Sequence, residues 1–97
     1  MPIYIALTVL SEKGRKTLID KPEEIKEHNK QLRAMGVKPL AQYATLGQYD
    51  FVNIFEAPND DAIYRVAVQL SGGVTQTTTL VAKTLDEFLA AVKKVKK

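Results

Sequence analysis

The sequence predicts an α+β domain in which helices cover one face of a four-stranded antiparallel sheet. Three observations support this fold class. Apolar side chains alternate along residues 3–10 and 49–56, which is typical of strands. Residues 20–35 and 59–70 instead repeat apolar side chains at helical spacing, and glycine or proline separates the segments. The 97 residues are enough for a single domain, residues 1–97, with one modest core.

The first predicted strand has two different apolar faces, because successive side chains of a strand point to opposite sides. One face carries Ile3, Ile5, Leu7 and Val9, and the other carries Tyr4, Ala6 and Thr8. Ser11 follows and predicts the N-cap of a short helical turn, which Gly14 weakens.

A second strand is predicted over residues 38–46, and Pro39 near its start favours an edge position in the sheet. Residues 46–49 read Leu-Gly-Gln-Tyr, which predicts a tight hairpin into the third strand. Pro58 ends this third strand because proline has no N–H to donate to the ladder.

Two longer helices are predicted between the strands. The stretch after Asp20 combines a proline with acidic residues, which suits a helix N-terminus, and Gly36 suits its C-terminal end. The other helix begins at Asn59 and is predicted to end at Gly72 and Gly73.

A fourth strand over residues 74–82 and a final helix complete the chain. Thr84 and Glu87 have the spacing of a capping box at the start of this helix. Its apolar side chains are expected to face the core: Phe88, Leu89, Val92 and Val95. The resulting βαββαβ order with a C-terminal helix is the ferredoxin-like arrangement.

Composition excludes several classes of site. The sequence has no cysteine, so it has neither disulfides nor thiolate chemistry. Much of the +3 net charge comes from the lysines of residues 93–97, which complement a helix dipole. The longest apolar run, residues 3–7, is far shorter than a membrane span, and no signal-peptide pattern precedes it. We therefore expect a cytoplasmic protein that makes no contact with membranes.

One face of the predicted sheet is too apolar to face water without a partner. We expect the helices to cover Ile3, Ile5, Leu7, Val52 and Ile54. The opposite face would then carry Tyr4, Ala6, Thr8, Tyr43, Thr45, Tyr49, Phe51, Asn53 and Phe55, joined by Thr75, Thr77 and Thr79. Two covers fit such a face: the same face of a second subunit, or single-stranded RNA with bases stacked on the aromatics.

Dimerisation is favoured over RNA binding. The start of the first strand resembles that of an RNA recognition motif, but Leu46 stands where a basic residue is expected before the glycine. Asp50 would also repel phosphate beside the stacking positions. The sequence therefore argues against a nucleic-acid partner and predicts a homodimer or a higher oligomer.

Residues 43–52 read Tyr-x-Thr-Leu-Gly-Gln-Tyr-Asp-Phe-Val, and residues 56–60 read Glu-Ala-Pro-Asn-Asp. With Val-x-x-x-Thr-Thr-Leu at residues 74–80, these motifs resemble the GYD domain family. The residues that name the family correspond to Gly47, Tyr49 and Asp50. The resemblance covers nearly the whole chain and implies a ferredoxin-like subunit of the dimeric α+β barrel type. It implies no established activity.

Asp50 is the candidate catalytic residue, because burial between two aromatics would raise its pKa and suit it to general-base work. The alternative, which we favour, is a carboxylate that accepts backbone N–H bonds at the start of a strand. The candidate ligand-binding or interface residues are Tyr4, Tyr43, Thr45, Tyr49, Asp50, Phe51, Thr77 and Thr79. His28 is the only histidine and is expected to be solvated or beside the core. No metal site and no cofactor are predicted.

Three functions follow from these residues. A small-molecule binding or sensory module is the first hypothesis. A small enzyme of the dimeric α+β barrel type, using Asp50 and the tyrosines, is the second, and it depends on fold analogy alone. An RNA-binding domain is the third.

Overall fold

The computed structural model describes residues 1–70 and 75–95, with Leu70 described by its backbone only. Its elements, in chain order, are β1 (Ile3–Leu10), α1 (Glu12–Asp20), α2 (Glu24–Ala34), β2 (Lys38–Ala44), β3 (Phe51–Glu56), α3 (Asp60–Leu70), β4 (Thr75–Ala82) and α4 (Leu85–Lys93). The predicted helix stop at Gly72 and Gly73, and the predicted start of the fourth strand at Val74, lie outside the described residues.

The four strands form one antiparallel sheet in the order β2-β3-β1-β4. Helical crossovers join β1 to β2 and β3 to β4, so β1 and β3 are the central strands and β2 and β4 are the edges. This is the strand order of a ferredoxin-like domain, so the predicted fold class is confirmed. In the described part of the chain, no helix is long and apolar enough to span a membrane.

The polar caps predicted from the sequence are found at the starts of α1, α3 and α4. Ser11 caps α1, and the Asn59 side chain accepts the backbone N–H of Ala62 in the first turn of α3 at 3.1 Å. Thr84 and Glu87 form the predicted capping box of α4. Each cap satisfies N–H groups that a helix start leaves without a partner, which is why these boundaries are readable in the sequence.

Gly36 ends the second helix as predicted. Its φ of +86° lies in the left-handed region, where a Cβ would be strained. The next N–H, of Val37, donates to the carbonyl of Leu32 at 3.0 Å, which closes the helix end. This closure places Leu32 and Val37 side by side in the core.

Two local predictions are wrong. The short turn expected after Ser11 is a nine-residue helix, α1, and its Gly14 is buried. The tight hairpin expected at residues 46–49 is a wider loop between Ala44 and Phe51. Gly47 in this loop has a φ of +112°, so the glycine is needed there even though the turn is longer than a two-residue hairpin.

The helices cover the face of the sheet opposite to the one that the sequence analysis assigned to them. Tyr4, Ala6 and Thr8 are the buried residues of β1, at 1%, 4% and 7% exposure. Tyr4 belongs to the core cluster with Leu32 of α2 and Ala62 of α3, so this face packs on the helices. The expectation that the helices cover Ile3, Ile5 and their neighbours is wrong.

Both faces of β1 are apolar, so alternation alone could not identify the covered one. A buried tyrosine also needs a hydrogen-bond partner, and here the Tyr4 hydroxyl donates to Oδ1 of Asp60 at 2.5 Å. That partner is the first residue of α3. Its position becomes known only when α3 is placed on the sheet.

The other face of the sheet, which we call the open face, is largely aliphatic. The register places these residues on it: Ile3, Ile5, Leu7, Val9, Lys38, Ala41, Tyr43, Val52, Ile54, Glu56, Gln76, Thr78, Leu80 and Ala82. A register shift between Pro39 and Ala41 pairs Tyr43 with Val52 and so moves Tyr43 to this face. The open face is therefore still too apolar for an unused surface, although its residues differ from those predicted.

Helix α4 does not face the core, which corrects a further prediction. Its apolar side chains are exposed: Leu85, Phe88, Leu89, Val92 and Val95. The radius of gyration is 15.3 Å, whereas a compact domain of 100 residues has about 13 Å. The amphipathic pattern predicted for α4 is present, but the described residues of the chain do not cover its apolar side.

Candidate functional site

A cleft of about 600 Å³ separates the helices from the covered face of the sheet. Its floor is formed by residues of the sheet, and its walls come from α1, α2 and α3. The lining includes Ala6, Thr8, Leu10, Gly14, Leu18, Ile25, His28, Asn29, Leu32, Gln42, Phe51, Asn53, Phe55, Ile63, Val66, Thr77 and Thr79. The lining surface is mainly apolar, but threonine, amide and histidine side chains stand among the apolar ones, and the charged Lys21 and Glu24 also line the cleft near the junction of α1 and α2. This is the composition of a small-molecule site.

The cleft exists because the core is thin. Only Tyr4, Ala6, Leu32, Val37, Ala57 and Ala62 are buried hydrophobic residues in the described part of the chain. Ala6 and Thr8 are small residues in the middle of the covered face, so they leave space below the helices. Protein interiors ordinarily pack as densely as organic crystals, and a space of this size departs from that density.

Polar groups of the cleft come from α2 and from the sheet. The side-chain amides of Asn29 and Gln42 donate to each other's oxygens, at 2.7 and 2.9 Å, and so join α2 to β2. The Thr8 and Thr77 hydroxyls lie 3.3 Å apart across β1 and β4. These groups can reorganise to bind a polar atom of a ligand, since hydroxyls and amides both donate and accept.

His28 also lines the cleft. Loss of solvent around the ring lowers its pKa from the ordinary value of 6.5, because burial disfavours the charged imidazolium. The His28 side chain is nevertheless exposed in the chain, and the lowered pKa favours the neutral ring, with one nitrogen that donates and one that accepts. His28, which the sequence predicts to be solvated or beside the core, is thus an addition to the predicted site residues.

The structure separates the predicted site residues into two groups. Phe51, Thr77 and Thr79 line the cleft, and Tyr43 borders it at the edge of the sheet. Tyr4, Thr45, Tyr49 and Asp50 are not part of the described lining of the cleft.

Asp50 connects the loop between β2 and β3 to the end of β1. Its carboxylate accepts the backbone N–H of Leu10 at 2.8 Å, and its own N–H donates to the carbonyl of Thr8 at 2.8 Å. The carboxylate thus accepts a hydrogen bond from a backbone N–H at the end of β1. This geometry favours the structural interpretation of Asp50 over the catalytic one.

Thr45 and Tyr49 brace the same loop. The Thr45 hydroxyl donates to the Tyr49 carbonyl at 2.6 Å, and the Thr45 N–H donates to the Asp50 carbonyl at 2.8 Å. Together with Asp50, these bonds hold the loop around Gly47 against β1. The motif Gly-Gln-Tyr-Asp is therefore a loop anchor in this structure.

Tyr4 supports the sheet–helix contact and has no open surface for a ligand. The hydrogen bond to Asp60, together with burial and the nearby negative charge, raises the pKa of the Tyr4 phenol to about 12. The phenol is therefore a neutral donor at physiological pH. Because Tyr4 is 1% exposed, it cannot stack on a nucleic-acid base, and the RNA hypothesis loses the residue on which it depended.

Within residues 1–70 and 75–95, no group of three or more His, Cys, Asp or Glu is placed to hold a metal ion. The sequence analysis missed the cleft residues contributed by α1 and α2, such as Leu18, Ile25 and His28. A signal existed for the α2 residues: Ile25, His28 and Leu32 have the spacing of one helix face. It could not separate a cleft wall from an ordinary core.

Comparison with known proteins gives a family for this fold. The model of the GYD domain family matches residues 4–92. A protein of Thermus thermophilus named glutamine synthetase and cystathionine beta-lyase binding protein is 43% identical over 95 residues. That alignment covers 96% of this chain and 100% of the relative.

Two solved structures share the fold. FFRP-DM1 aligns with a TM-score of 0.58 at 20% identity, over 86% of this chain and 100% of that chain. The hypothetical protein PHS023 from Pyrococcus horikoshii aligns with a TM-score of 0.53 at 20% identity, over 86% of this chain and 90% of its own. At this identity the likeness concerns the fold alone.

Proposed function

The chain belongs to the GYD domain family, and we propose that it binds a small molecule. One observation carries this proposal: the cleft of about 600 Å³ between the helices and the sheet. Pockets of roughly 300–1,000 Å³ accept small ligands. The cleft replaces what would otherwise be the centre of the core.

The lining indicates the class of ligand. Phe51, Phe55 and Leu32 offer apolar contact, while His28 and the Asn29–Gln42 pair offer hydrogen bonds at the α2 side. Histidine, amide and hydroxyl side chains can all hydrogen-bond a polar end of a ligand, and Lys21 adds a positive charge to the same lining. The fitting ligand is an aromatic or aliphatic molecule with one polar end.

Filling the floor of the cleft tests the proposal. Ala6 is 4% exposed on the covered face, so Ala6→Leu places its added carbons where a ligand would lie. We expect anilinonaphthalene sulfonate, an aromatic fluorescent probe, to bind the unaltered protein saturably at one site per chain. We expect its affinity to fall about tenfold or more in the variant, because the added side chain displaces the probe.

Ala90→Leu is the matched control, because Ala90 is exposed on α4 and outside the lining of the cleft. It should leave the titration unchanged. Binding that does not saturate, or an equal affinity in all three proteins, would contradict a ligand site in the cleft. Far-UV circular dichroism and a thermal melt establish that each variant is folded.

We also propose that two copies meet through the open face. Its side chains include Leu80 at 45% and Tyr43 at 59% exposure, in a face with few charged groups. Burial of such a surface against its own copy follows the geometry of two stacked sheets. The ligand cleft lies on the other side of the sheet, so dimerisation would leave it open.

A protein-binding role is the second candidate, and the name of the relative at 43% identity favours it. The test is a titration of the labelled chain with purified glutamine synthetase and, separately, with cystathionine beta-lyase. Saturable binding to either enzyme, but not to serum albumin, would support this role. Absence of binding to both at micromolar concentration would remove it and leave the cleft proposal untouched.

A further inference from the structure

Helix α4 carries an apolar face that the described residues of its own chain do not cover. The exposures of Leu85, Phe88, Leu89, Val92 and Val95 lie between 45% and 74%. Their spacing places them along one side of the helix. The opposite side carries Asp86, Glu87, Ala90, Lys93 and Lys94, so the sequence distinguishes a face for water from a face for contact.

A helix of this length needs a contact to persist. α4 has nine residues, and isolated helices shorter than about 12–15 residues are marginal in water. The capping box at Thr84 helps to start the helix but does not cover its apolar side. The described residues of its own chain therefore do not supply the surface that would stabilise α4.

A second copy of this chain offers a matching surface, because its open face is apolar and also lacks a partner within the described part of the chain. Its open face spans roughly 500 Å² in projection, from the spacing and rise of its strands. A stable interface of standard size buries about 800 Å² on each partner. The apolar side of α4 would add roughly 150 Å² of contact from each copy, by the dimensions of a helix.

Continuity also favours a second copy. α4 follows edge strand β4 after only Lys83 and Thr84. An arm that leaves the edge of one sheet is placed to reach a copy stacked on that sheet. Two-fold symmetry then gives both arms the same contact, so a single arrangement covers both helices.

We infer that α4 is an exchanged arm, whose apolar face packs against a second copy of this chain. This goes beyond the proposed small-molecule function and does not depend on it. The arm would lengthen the contact made by the open face and would be ordered by dimerisation.

Sedimentation equilibrium of full-length variants tests the arm. Phe88→Asp places a charge in the middle of the apolar side, and Ala90→Asp places the same charge on the polar side of the same helix. Both sites are exposed in the single chain, so neither change should alter its fold. The dimer dissociation constant should rise about 100-fold or more for Phe88→Asp, because symmetry applies the change twice. It should stay near that of the unaltered protein for Ala90→Asp.

Equal dissociation constants for Phe88→Asp and the unaltered protein would overturn the inference that α4 packs against a second copy, even if the open-face dimer forms. A monomer at all concentrations would overturn both contacts between copies. Hydrogen exchange gives an independent readout: α4 amides should be protected in the dimer and lose protection on dilution below the dissociation constant. Fast exchange of α4 in the fully dimeric protein would also contradict the inference.

Discussion

Replacement of Leu32 by alanine is expected to lower the free energy of unfolding by about 2–5 kcal/mol. Leu32 is 1% exposed and lies in the cluster that joins α2 to Tyr4, Val37 and Ala62. Its removal deletes apolar contacts and enlarges the cleft that Leu32 already lines. The surrounding side chains cannot close the gap, since the cleft prevents collapse from that side. Urea unfolding followed by circular dichroism measures the change.

Leu46→Ala is the matched control, because Leu46 is 103% exposed and loses the same atoms. It should change the unfolding free energy by less than about 0.5 kcal/mol, as surface substitutions do. Equal losses for the two variants would show that Leu32 is not a core residue. A small domain is stable by only about 5–15 kcal/mol, so the Leu32 variant should be close to its unfolding threshold at 37 °C.

Asp50→Ala is expected to cost about 1–3 kcal/mol of stability, because it leaves the Leu10 N–H without its described acceptor. The loss concerns the end of β1, so the loop between β2 and β3 should also loosen. A thermal melt reports the stability, at about 4–8 °C per kcal/mol for a domain of this size. Probe binding in the cleft should persist in the folded variant, since Asp50 is not part of its described lining.

Asp50→Asn provides the comparison. Its amide oxygen can still accept the N–H of Leu10, so it should be less destabilising than alanine. If both variants kept full stability while a bound ligand or an activity was lost, Asp50 would be a functional base instead of an anchor. Functional groups are often retained at a cost in stability, so a loss of function without a loss of stability would identify Asp50 as a functional residue.

Much of the fold was predictable because its signals are local. Ser11, Gly36, Asn59 and Thr84 each meet a need of the adjacent backbone, and the structure places each at the predicted boundary. The sheet order then follows from the short list of topologies open to a βαββαβ chain. The GYD motif identified the family, but hydrogen bonds to β1 show what its aspartate contacts.

The covered face of the sheet was not predictable from alternation. The odd residues of β1 are larger aliphatics than the even ones, which suggested that they form the core. The even side is covered because the buried hydroxyl of Tyr4 has a partner in Asp60, 56 positions along the chain. A partner so distant is set by tertiary packing, which the strand pattern does not contain.

The candidate site was predicted only in part for the same reason. Phe51, Thr77 and Thr79 were selected as an exposed platform, and they instead form part of the floor of a cleft. The walls come from α1 and α2, and α1 was expected to be a single turn. Likewise, the apolar side of α4 has the pattern of a core helix. Sequence alone does not tell whether this side packs on its own chain or on a second copy.

The single histidine offers the most direct measurement of the cleft as a ligand site. One proton NMR resonance of the His28 ring reports on the cleft, since the chain has no other histidine. In the free protein its titration should give a pKa below 6.5, as loss of solvent implies. Addition of anilinonaphthalene sulfonate should shift this resonance saturably, with the same dissociation constant as the fluorescence titration. A His28 resonance that stays unchanged while the probe saturates would place the probe elsewhere and contradict the cleft as the binding site.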